Sequence, residues 1–532
     1  MTKINWKPLL VACLAMLSLY SLASGINVVI AKVYKDLNTD VGTIQLALVL
    51  ASLVSGSLMI TAGKLGDKIG KKKTLIIGLF IFLAGSIVSL VSPNATIFIL
   101  GWGVIWPLGM VLIVPTTVAM VTYFYEGTTR ATAFGIYGAV ASLAVTLGPL
   151  VVGFLADSIS WRLAMIGSPI LTIVTIVLAF TITETDKDES VKIDIPSVFL
   201  SFFGLATFLI SMLLGGAYGF ILEKRPFALG GINIPLGGLS IVVPLILVSA
   251  LLIYLFVKRN LGLIKQGKEP LLDPGLFKNS IFRNGLIAQT ILFLVVPAMA
   301  FMLPLFLQSI NGYSPSETAL AMLPGTATLS IVALFSPSLG KKIAPKFIVI
   351  AGFIIAIVGT FLITGGIAEN VGDINLMFPL IVYGIGTGLV ISQVANLTLS
   401  AVEPREVGEA SGLVETSKEA IGGGFGIAIV STIVLGMWYS SFIDHQLELE
   451  GKNISETQKQ EMVLKIEDQI NDGNTVESST YYKTLPLQTQ DKFMQLDYSS
   501  GREAIDKTMW VIRGFLILAI IFSITLPNTK LE

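Results

Sequence analysis

The feature that most restricts the fold is a series of about fourteen stretches, each with roughly 20 predominantly apolar residues. A stretch of that length crosses the roughly 30 Å hydrocarbon core of a bilayer as one α-helix. Backbone groups find no water in that core, so only helices or closed barrels can span it. Barrel strands alternate apolar and polar residues, and these stretches do not. The sequence therefore predicts an all-α polytopic membrane protein.

The ends of the apolar stretches give the bounds of the predicted spans. They lie at residues 9–31, 43–63, 74–92, 96–121, 132–155, 163–183, 196–216, 236–257, 284–308, 317–338, 347–366, 376–398, 411–437 and 508–527. The composition agrees, because only 13% of the residues are charged, about half of the fraction in a typical soluble domain. The lipid bilayer is therefore the first expected partner.

Balanced charge and the rarity of Cys and His argue against several classes of function. The net charge is +0, so we expect no nucleic-acid partner. Cys13 and His445 are the single Cys and His of the chain, which excludes an intrachain disulfide and a Cys/His metal cluster. The phosphate-loop pattern Gly-x-x-x-x-Gly-Lys-Ser/Thr does not occur, which argues against ATP hydrolysis. We expect no cofactor, no metal and no enzymatic activity.

Basic residues concentrate in alternate loops. Loops 64–73, 258–283 and 339–346 each carry at least three lysines or arginines. The positive-inside rule assigns such loops to the cytoplasm. With an even number of spans, both termini are then cytoplasmic, and we expect a monomer in the inner membrane of a bacterial cell.

Residues 438–507 form a polar, acidic stretch before the last span. In the predicted topology this stretch lies outside the cell. The order Ser455, Glu456, Thr457, Gln458 is typical of a helix capping box. We expect an external helical hairpin or small cap.

A family resemblance begins at Gly63-Lys-Leu-Gly-Asp67-Lys-Ile-Gly70-Lys-Lys-Lys73, which resembles the loop motif between spans 2 and 3 of the major facilitator superfamily. Glycines allow a tight turn there. The resemblance implies that Asp67 faces a helix N-terminus of the other half and holds the cytoplasmic side shut, with Arg130 at the start of span 5 as a further gating residue. The alternative is a generic basic loop.

Span 5 contains Gly148-Pro149-Leu-Val-Val-Gly153, which resembles the Gly-Pro motif of the superfamily's antiporters. A proline removes a backbone donor and bends a helix. Small neighbours allow another helix to approach closely. The alternative is an ordinary packing kink.

The second half adds motifs that resemble the fourteen-span drug:proton antiporters. They are Pro270-Leu-Leu-Asp273, Leu305-Phe-Leu-Gln308, Gly312-Tyr-Ser-Pro315, Leu323-Pro324 and Gly408-Glu-Ala-Ser-Gly412. The resemblance implies a major facilitator fold with two six-helix bundles plus two inserted helices. We expect an N-terminal bundle at 1–183, the inserted helices at 184–257, five helices of the C-terminal bundle at 258–437, the external segment at 438–507, and the last helix and tail at 508–532.

Two charged positions of that family are missing. Leu22 stands where the family has an acidic residue midway along span 1, and Gly103 stands where it has an arginine in span 4. A proton mechanism cannot therefore rest on these two positions.

Span 13 instead carries charge at the depth of the membrane. Glu415 and Glu419 lie four residues apart and so face the same way on a helix. A carboxylate inside a bilayer is costly and marks a functional site. We predict that Glu419 and Glu415 are proton-coupling residues. The alternative is that Glu415 and Lys418 simply neutralise each other.

Polar and aromatic side chains within the spans are candidates for a substrate cavity. Polar groups left unsatisfied in lipid are costly, so they either line a cavity or bond across helices. Trp102 and Trp106 share a helix face, and aromatic faces attract organic cations, although packing explains them too. The predicted cavity residues are Asn27, Trp106, Gln289, Gln393 and Asn396.

These features favour a secondary exporter of amphipathic or cationic toxic compounds. Such transporters exchange a small-molecule substrate for protons by alternating access around a midplane site. The missing charges at Leu22 and Gly103 leave open a lipid, peptide or metabolite exporter with atypical or no proton coupling. A membrane enzyme or sensor using residues 438–507 is a third alternative.

Overall fold

The computed structural model describes residues 5–125, 127–185, 187, 192–229, 232–234, 236–340, 342–367, 375–399, 401–402, 407–450, 458–459, 462, 487–526 and 528. Nearly all of these residues are helical. The exception with regular structure is one antiparallel hairpin of two short strands, β1 Phe227–Leu229 and β2 Ile232–Ile234.

The first nine helices come from the N-terminal third of the chain. They are α1 Lys7–Gly25, α2 Ile30–Asp36, α3 Val41–Ile69, α4 Lys71–Leu90, α5 Ala95–Phe98, α6 Trp106–Phe124, α7 Gly127–Ser158, α8 Trp161–Ala164 and α9 Gly167–Ala179. A 3₁₀ turn, Ile26–Val28, follows α1, and a π-helical segment, Ile99–Ile105, joins α5 to α6.

The remaining helices form a pair and a second group. The pair is α10 Ile195–Tyr218 and α11 Val242–Lys265. The second group is α12 Ser280–Ser309, α13 Pro315–Gly340, α14 Pro345–Gly366, α15 Met377–Leu399, α16 Val407–Thr416, α17 Gly426–Glu450 and α18 Leu487–Ser523. A 3₁₀ turn, Pro274–Lys278, precedes α12, and a second π-helical segment, Ser417–Phe425, joins α16 to α17.

Thirteen helical stretches among the described residues are long and apolar enough to cross a membrane, and they coincide with the first thirteen predicted spans. The all-α polytopic prediction is therefore confirmed. The fourteenth predicted span, 508–527, falls on the end of α18, which packs against α12, α14 and α17. Arg513 interrupts the apolar sequence of α18. It is 2% exposed and donates hydrogen bonds to Thr360 O and to Thr364 Oγ1 on α14.

Three predicted boundaries differ from the structure. The predicted loop 64–73 is helical as far as Ile69, and only Gly70 makes the turn. Span 8 begins at Val242 rather than 236, because the preceding residues belong to the β-hairpin and the turn after it. The predicted external segment 438–507 begins inside α17, which continues to Glu450. The predicted capping residue, Ser455, lies outside the described residues.

Successive spans alternate in direction, which defines two faces of the molecule. The near face carries the start of α1, the turn at Gly70 and residues 266–279. The far face carries residues 37–40, 159–160 and 310–314. Gly70 has φ +98°, and a Cβ there would lie 2.7 Å from the Glu184 carboxyl carbon. That carboxylate accepts the backbone N–H groups of Lys72 and Lys73 and so caps α4 at the near face.

Buried apolar side chains form two main cores. The first is built mostly by α1–α9 and the second by α12–α18. Phe425 packs against both cores. The junction of the two cores is therefore made of side chains rather than of a connecting loop.

The pair α10–α11 packs on the outside of this junction. Ser249 Oγ of α11 donates to Gly204 O of α10 at 2.8 Å. Leu209 of α10 is fully buried, and a Cβ at Gly424 would lie 3.2 Å from it. The ring centroids of Phe208 and Phe425 lie 5.6 Å apart. Helix α10 thus bridges α3 of the first group and α17 of the second.

Close helix contacts in the first core depend on glycine. A Cβ at Gly85 of α4 would collide with the backbone nitrogen of Trp106 on α6, whereas a Cβ at Gly138 of α7 would meet no described atom within 4 Å. We expect Gly85→Ala to lower the unfolding temperature, because overpacking costs about 1–3 kcal/mol. Gly138→Ala is the control, and it should not lower the unfolding temperature, because alanine stabilises an open helical position relative to glycine. If thermal unfolding showed equal changes in the unfolding temperature for both variants, this packing would be contradicted.

An ion pair at the near face fixes the start of α10. Asp194 caps that helix by accepting Ser197 N–H, and it binds Arg259 of α11 through two hydrogen bonds of 2.6 and 2.7 Å. The Arg259 guanidinium holds the pKa of the Asp194 carboxyl well below its usual range. The carboxylate therefore stabilises the fold above the pKa of the unfolded chain, about 3.9, and this contribution is lost as the pH falls.

We expect Asp194→Asn, which keeps a capping oxygen but removes the charge, to lower the unfolding temperature at pH 7. The gap to the wild type should be constant above about pH 5 and should shrink below about pH 4. Thermal unfolding at several pH values measures it, with the exposed Glu269→Gln as control. A gap that widens on acidification contradicts the stated role of the ion pair.

Candidate transport cavity

A cavity of about 420 Å³ lies between the two cores. Its walls come from α1, α3, α6, α7 and the first π segment on one side, and from α12, α13, α15, α17 and the second π segment on the other. Most of the lining is apolar. The polar lining side chains are Tyr20, Asn27, Ser52, Ser55, Ser142, Ser330, Lys418 and Glu419, with the indoles of Trp102 and Trp106.

Both π-helical segments contribute side chains to this cavity. Trp102 belongs to the first segment, and Lys418, Glu419 and Gly423 belong to the second. The backbone N–H of Trp106 donates to Gly101 O, five residues earlier. π-helical turns are rare and occur frequently at functional sites. Neither segment could be predicted from the sequence, because an extra residue in a helical turn leaves the apolar composition unchanged.

Glycines set the position of the second π segment. A Cβ at Gly56 of α3 would collide with the backbone of Ala420. A Cβ at Gly422 would lie 2.7 Å from the Phe293 Cβ of α12. The segment is therefore clamped between a helix of the first group and a helix of the second.

The clamped segment carries Lys418 and Glu419, and Glu415 lies just before it, near the end of α16. Lys418 Nζ lies 3.1 Å from Glu415 Oε2 and 4.0 Å from Glu419 Oε1. It also lies 4.9 Å from the ring centroid of Phe293. Glu419 and Lys418 line the cavity, whereas Glu415 is not among the lining residues. Both predicted carboxylates therefore meet at Lys418, a cavity residue that the sequence argument had treated only as a neutralising partner.

The tryptophans present less aromatic face to the cavity than the sequence suggested. Trp102 and Trp106 stack on each other with centroids 5.1 Å apart and planes 4° apart. Phe98 stacks on Trp102 at 5.9 Å, and Phe82 lies 5.8 Å from Trp106. Because these neighbours cover the indole faces, the four rings act chiefly as a rigid wall. Trp106 Nε1 is buried without a hydrogen-bond partner among the described residues.

The other predicted cavity residues occupy different environments. Asn27 lines the cavity. Gln289 is 3% exposed, and its Oε1 has no partner among the described residues. Gln393 donates to Ser336 O at 2.9 Å and joins α15 to α13. Neither glutamine is among the lining residues. The side chain of Asn396 lies outside the described part of the structure.

The missing charges of the antiporter motif have a structural reason at both positions. Leu22 is 2% exposed within the first core. A Cβ at Gly103 would already lie 3.2 Å from Ala47 O and from the Leu50 Cβ on α3. An arginine at Gly103 would therefore displace α3. The charges of this cavity come from the second group of helices instead.

The residues of the predicted gating motif are only partly described. Gly63 lies in α3, and a Cβ there would meet nothing within 4 Å. Gly70 makes the tight turn that the sequence predicted. The side chains of Asp67 and Arg130 lie outside the described part of the structure. A different contact at the near face, Lys64 Nζ to Pro270 O at 2.6 Å, joins α3 to the segment before α12.

The Gly-Pro motif brings α7 against two other helices. Pro149 lies inside α7. A Cβ at Gly148 would collide with Ser24 of α1, and a Cβ at Gly153 would lie 2.7 Å from Pro315 O at the start of α13. Small residues are needed at both contacts.

One turn beyond Gly153, a polar link joins the two groups at the far face. Asp157 Oδ2 accepts the backbone N–H of Ser316 on α13 at 2.8 Å. Asp157 Oδ1 lies 2.9 Å from Lys32 Nζ, which also donates to Ala156 O at 2.8 Å. The carboxylate thus caps a helix of the other group. The loop motif implied this kind of contact for Asp67, and no motif in the sequence indicated one at Asp157.

We expect Asp157→Ala to open the far face, because it removes the acceptor for Ser316 and the partner of Lys32. The single Cys13 allows a reporter, Ala300→Cys on the cavity wall, in a Cys13→Ala background. A membrane-impermeant thiol reagent applied from the far face should then react at least several-fold faster. Asp36→Ala is the matched control, because the partners of Asp36 among the described residues, Trp161 and Arg162, both lie in the first group. Equal rates for both variants would contradict a closing role.

A cavity enclosed by two groups of membrane-spanning helices defines a membrane transporter. The chain belongs to the major facilitator superfamily, whose family model matches residues 9–427.

Curated relatives of the chain are bacterial transporters and resistance proteins. A probable actinorhodin transporter from Streptomyces coelicolor is 27% identical over 77% of this chain and 69% of its own length. The multidrug resistance protein Stp from Mycobacterium tuberculosis is 23% identical over 80% of this chain and 74% of its own. The puromycin resistance protein pur8 from Streptomyces alboniger is 23% identical over 83% of this chain and 84% of its own length. The chain is therefore a transporter of the drug-exporter type.

Solved structures support the fold. A bacterial homologue of the human lysosomal transporter Spinster, inward-facing and unoccupied, superposes with a TM-score of 0.63 at 14% identity, covering 98% of both chains. A structure from the proton dependent oligopeptide transporters superposes with a TM-score of 0.54 at 14% identity, over 98% of this chain and 100% of that one. At these identities the likeness concerns the fold alone.

Proposed function

We propose that this protein exports amphipathic or cationic toxic compounds by proton antiport with alternating access. The observation that carries the proposal is the charged cluster on the second π segment, where Glu419 and Lys418 face a cavity between the two groups of helices. Two relatives are named for multidrug resistance and for puromycin resistance, which supports an exporter of toxic compounds.

Glu419 is the residue that suits proton exchange. Its side chain is 19% exposed and lines the cavity, so substrate and solvent can reach it. Glu415 lies nearer to Lys418 and off the lining. The closer pair, Glu415–Lys418, neutralises itself and leaves Glu419 as the carboxylate that is able to release a proton when substrate binds.

The orientation of the protein follows from its lysines. The near face carries Lys64, Lys71, Lys72 and Lys73, so it is the cytoplasmic face under the positive-inside rule. Both termini are then cytoplasmic, and the protein lies in the bacterial cell membrane as a monomer. The Asp157–Ser316 link then closes the external side of the cavity. The bundle boundaries at residues 183, 257, 437 and 507 remain part of this proposal.

A second candidate function rests on the absent charges. With Leu22 in the core and Gly103 packed against α3, the chain lacks two charged positions of the related antiporters. An exporter of lipids, peptides or metabolites with atypical or no proton coupling fits this difference. The pH dependence of transport separates the two candidates.

We expect Glu419→Gln to abolish transport driven by a pH gradient in proteoliposomes, because an amide cannot exchange a proton. Substrate exchange without a gradient should continue, since that process needs binding and alternation only. Glu415→Gln is the matched control one turn away and should keep a measurable response to the gradient. Wild-type pH-driven transport by Glu419→Gln would refute the proton role and favour the uncoupled exporter.

A further inference from the structure

The charges of the cavity can be counted. Among the described lining residues, Lys418 and Glu419 are the ionisable side chains of Lys, Arg, Asp and Glu. Glu415 adds its charge from directly behind Lys418, at 3.1 Å. The cluster therefore holds two carboxylates and one ammonium group. One of the carboxylates is already matched.

The surrounding structure holds Lys418 and Glu415 together as a pair. Glu415, near the end of α16, lies three residues before Lys418 of the clamped π segment. Lys418 also rests 4.9 Å from the Phe293 ring centroid of α12, an additional favourable contact for a cation. A buried ion pair whose partner is removed leaves a costly unpaired charge. Lys418 therefore stays with Glu415, and Glu419 is the one carboxylate that a ligand can use.

We propose that Lys418 restricts the substrates of this transporter to monocations, by occupying the place that a second cationic group would take. This inference rests on the proposed export function and specifies the substrate class of the same cavity. An aromatic monocation pairs with Glu419 while its rings contact the apolar lining. A dication brings a second positive charge towards Lys418. Like charges about 7 Å apart at an effective dielectric constant of about 20 repel enough to weaken binding by more than tenfold.

Two dyes with the same aromatic ring system test the proposal, namely the monocation ethidium and the dication propidium. Binding to the purified protein in nanodiscs is measured by dye fluorescence, and the ratio of the Kd for propidium to that for ethidium is the readout. The wild type should prefer ethidium. Lys418→Met, which keeps the length of the side chain without its charge, should lower this ratio by roughly tenfold or more.

Further variants separate charge counting from a change of shape. The double variant Lys418→Met/Glu415→Gln leaves one carboxylate and no ammonium group, so its ratio should recover from that of Lys418→Met towards the wild-type value. Lys418→Arg should keep it. Lys64→Met removes a lysine at the near face and should also leave it unchanged. If Lys418→Met does not fold, Ala300→Asp on the α12 wall of the cavity adds a second free carboxylate and should favour propidium.

Each outcome either supports the proposal or overturns it. A ratio that falls in Lys418→Met or Ala300→Asp and recovers in the double variant supports the proposal. An unchanged ratio, a wild type that binds propidium as tightly as ethidium, or a wild type that binds neither dye overturns it. The export function is tested independently by the susceptibility of producing cells to toxic monocations other than ethidium. It survives if the ratio is unchanged but export continues.

Discussion

A lysine at the depth of a membrane has to be paired, and the arrangement of this transporter follows from how Lys418 meets that requirement. Its ammonium group lies 3.1 Å from Glu415 and 4.0 Å from Glu419. Removing one partner of a buried pair costs about 3–5 kcal/mol, so the three side chains act as one unit. Their position then decides where the cavity can bind a charge.

That unit is held by contacts from both groups of helices. Gly56 of α3 admits the backbone of Ala420, and Gly422 admits Phe293 of α12. A relative movement of the two groups must therefore change the surroundings of the π segment. The far-face link from Asp157 to Ser316 crosses the same junction. A proton or a ligand at Glu419 is thus in physical contact with the elements that alternating access has to move.

The sequence determined the spans well, because a run of about 20 apolar residues has few alternatives in a bilayer. It also drew attention to span 13, since two carboxylates in an apolar stretch are costly. The stacked rings from Phe98 to Phe82 and the π segments could not be predicted, because they depend on which helices meet. For the same reason the sequence could not show that Gln393 bonds to α13 whereas Asn27 lines the cavity. The helical continuation of α3 to Ile69 shows that glycines and lysines alone do not define a loop.

Proton release on substrate binding tests the account most directly. Purified protein in weakly buffered solution is mixed with a saturating substrate, and the pH change is recorded for the wild type, Glu419→Gln and Glu415→Gln. Proton antiport at Glu419 predicts release by the wild type, a smaller release by Glu415→Gln because Lys418 then pairs with Glu419, and none by Glu419→Gln at a substrate concentration that still saturates it. Equal release by the wild type and Glu419→Gln would contradict it.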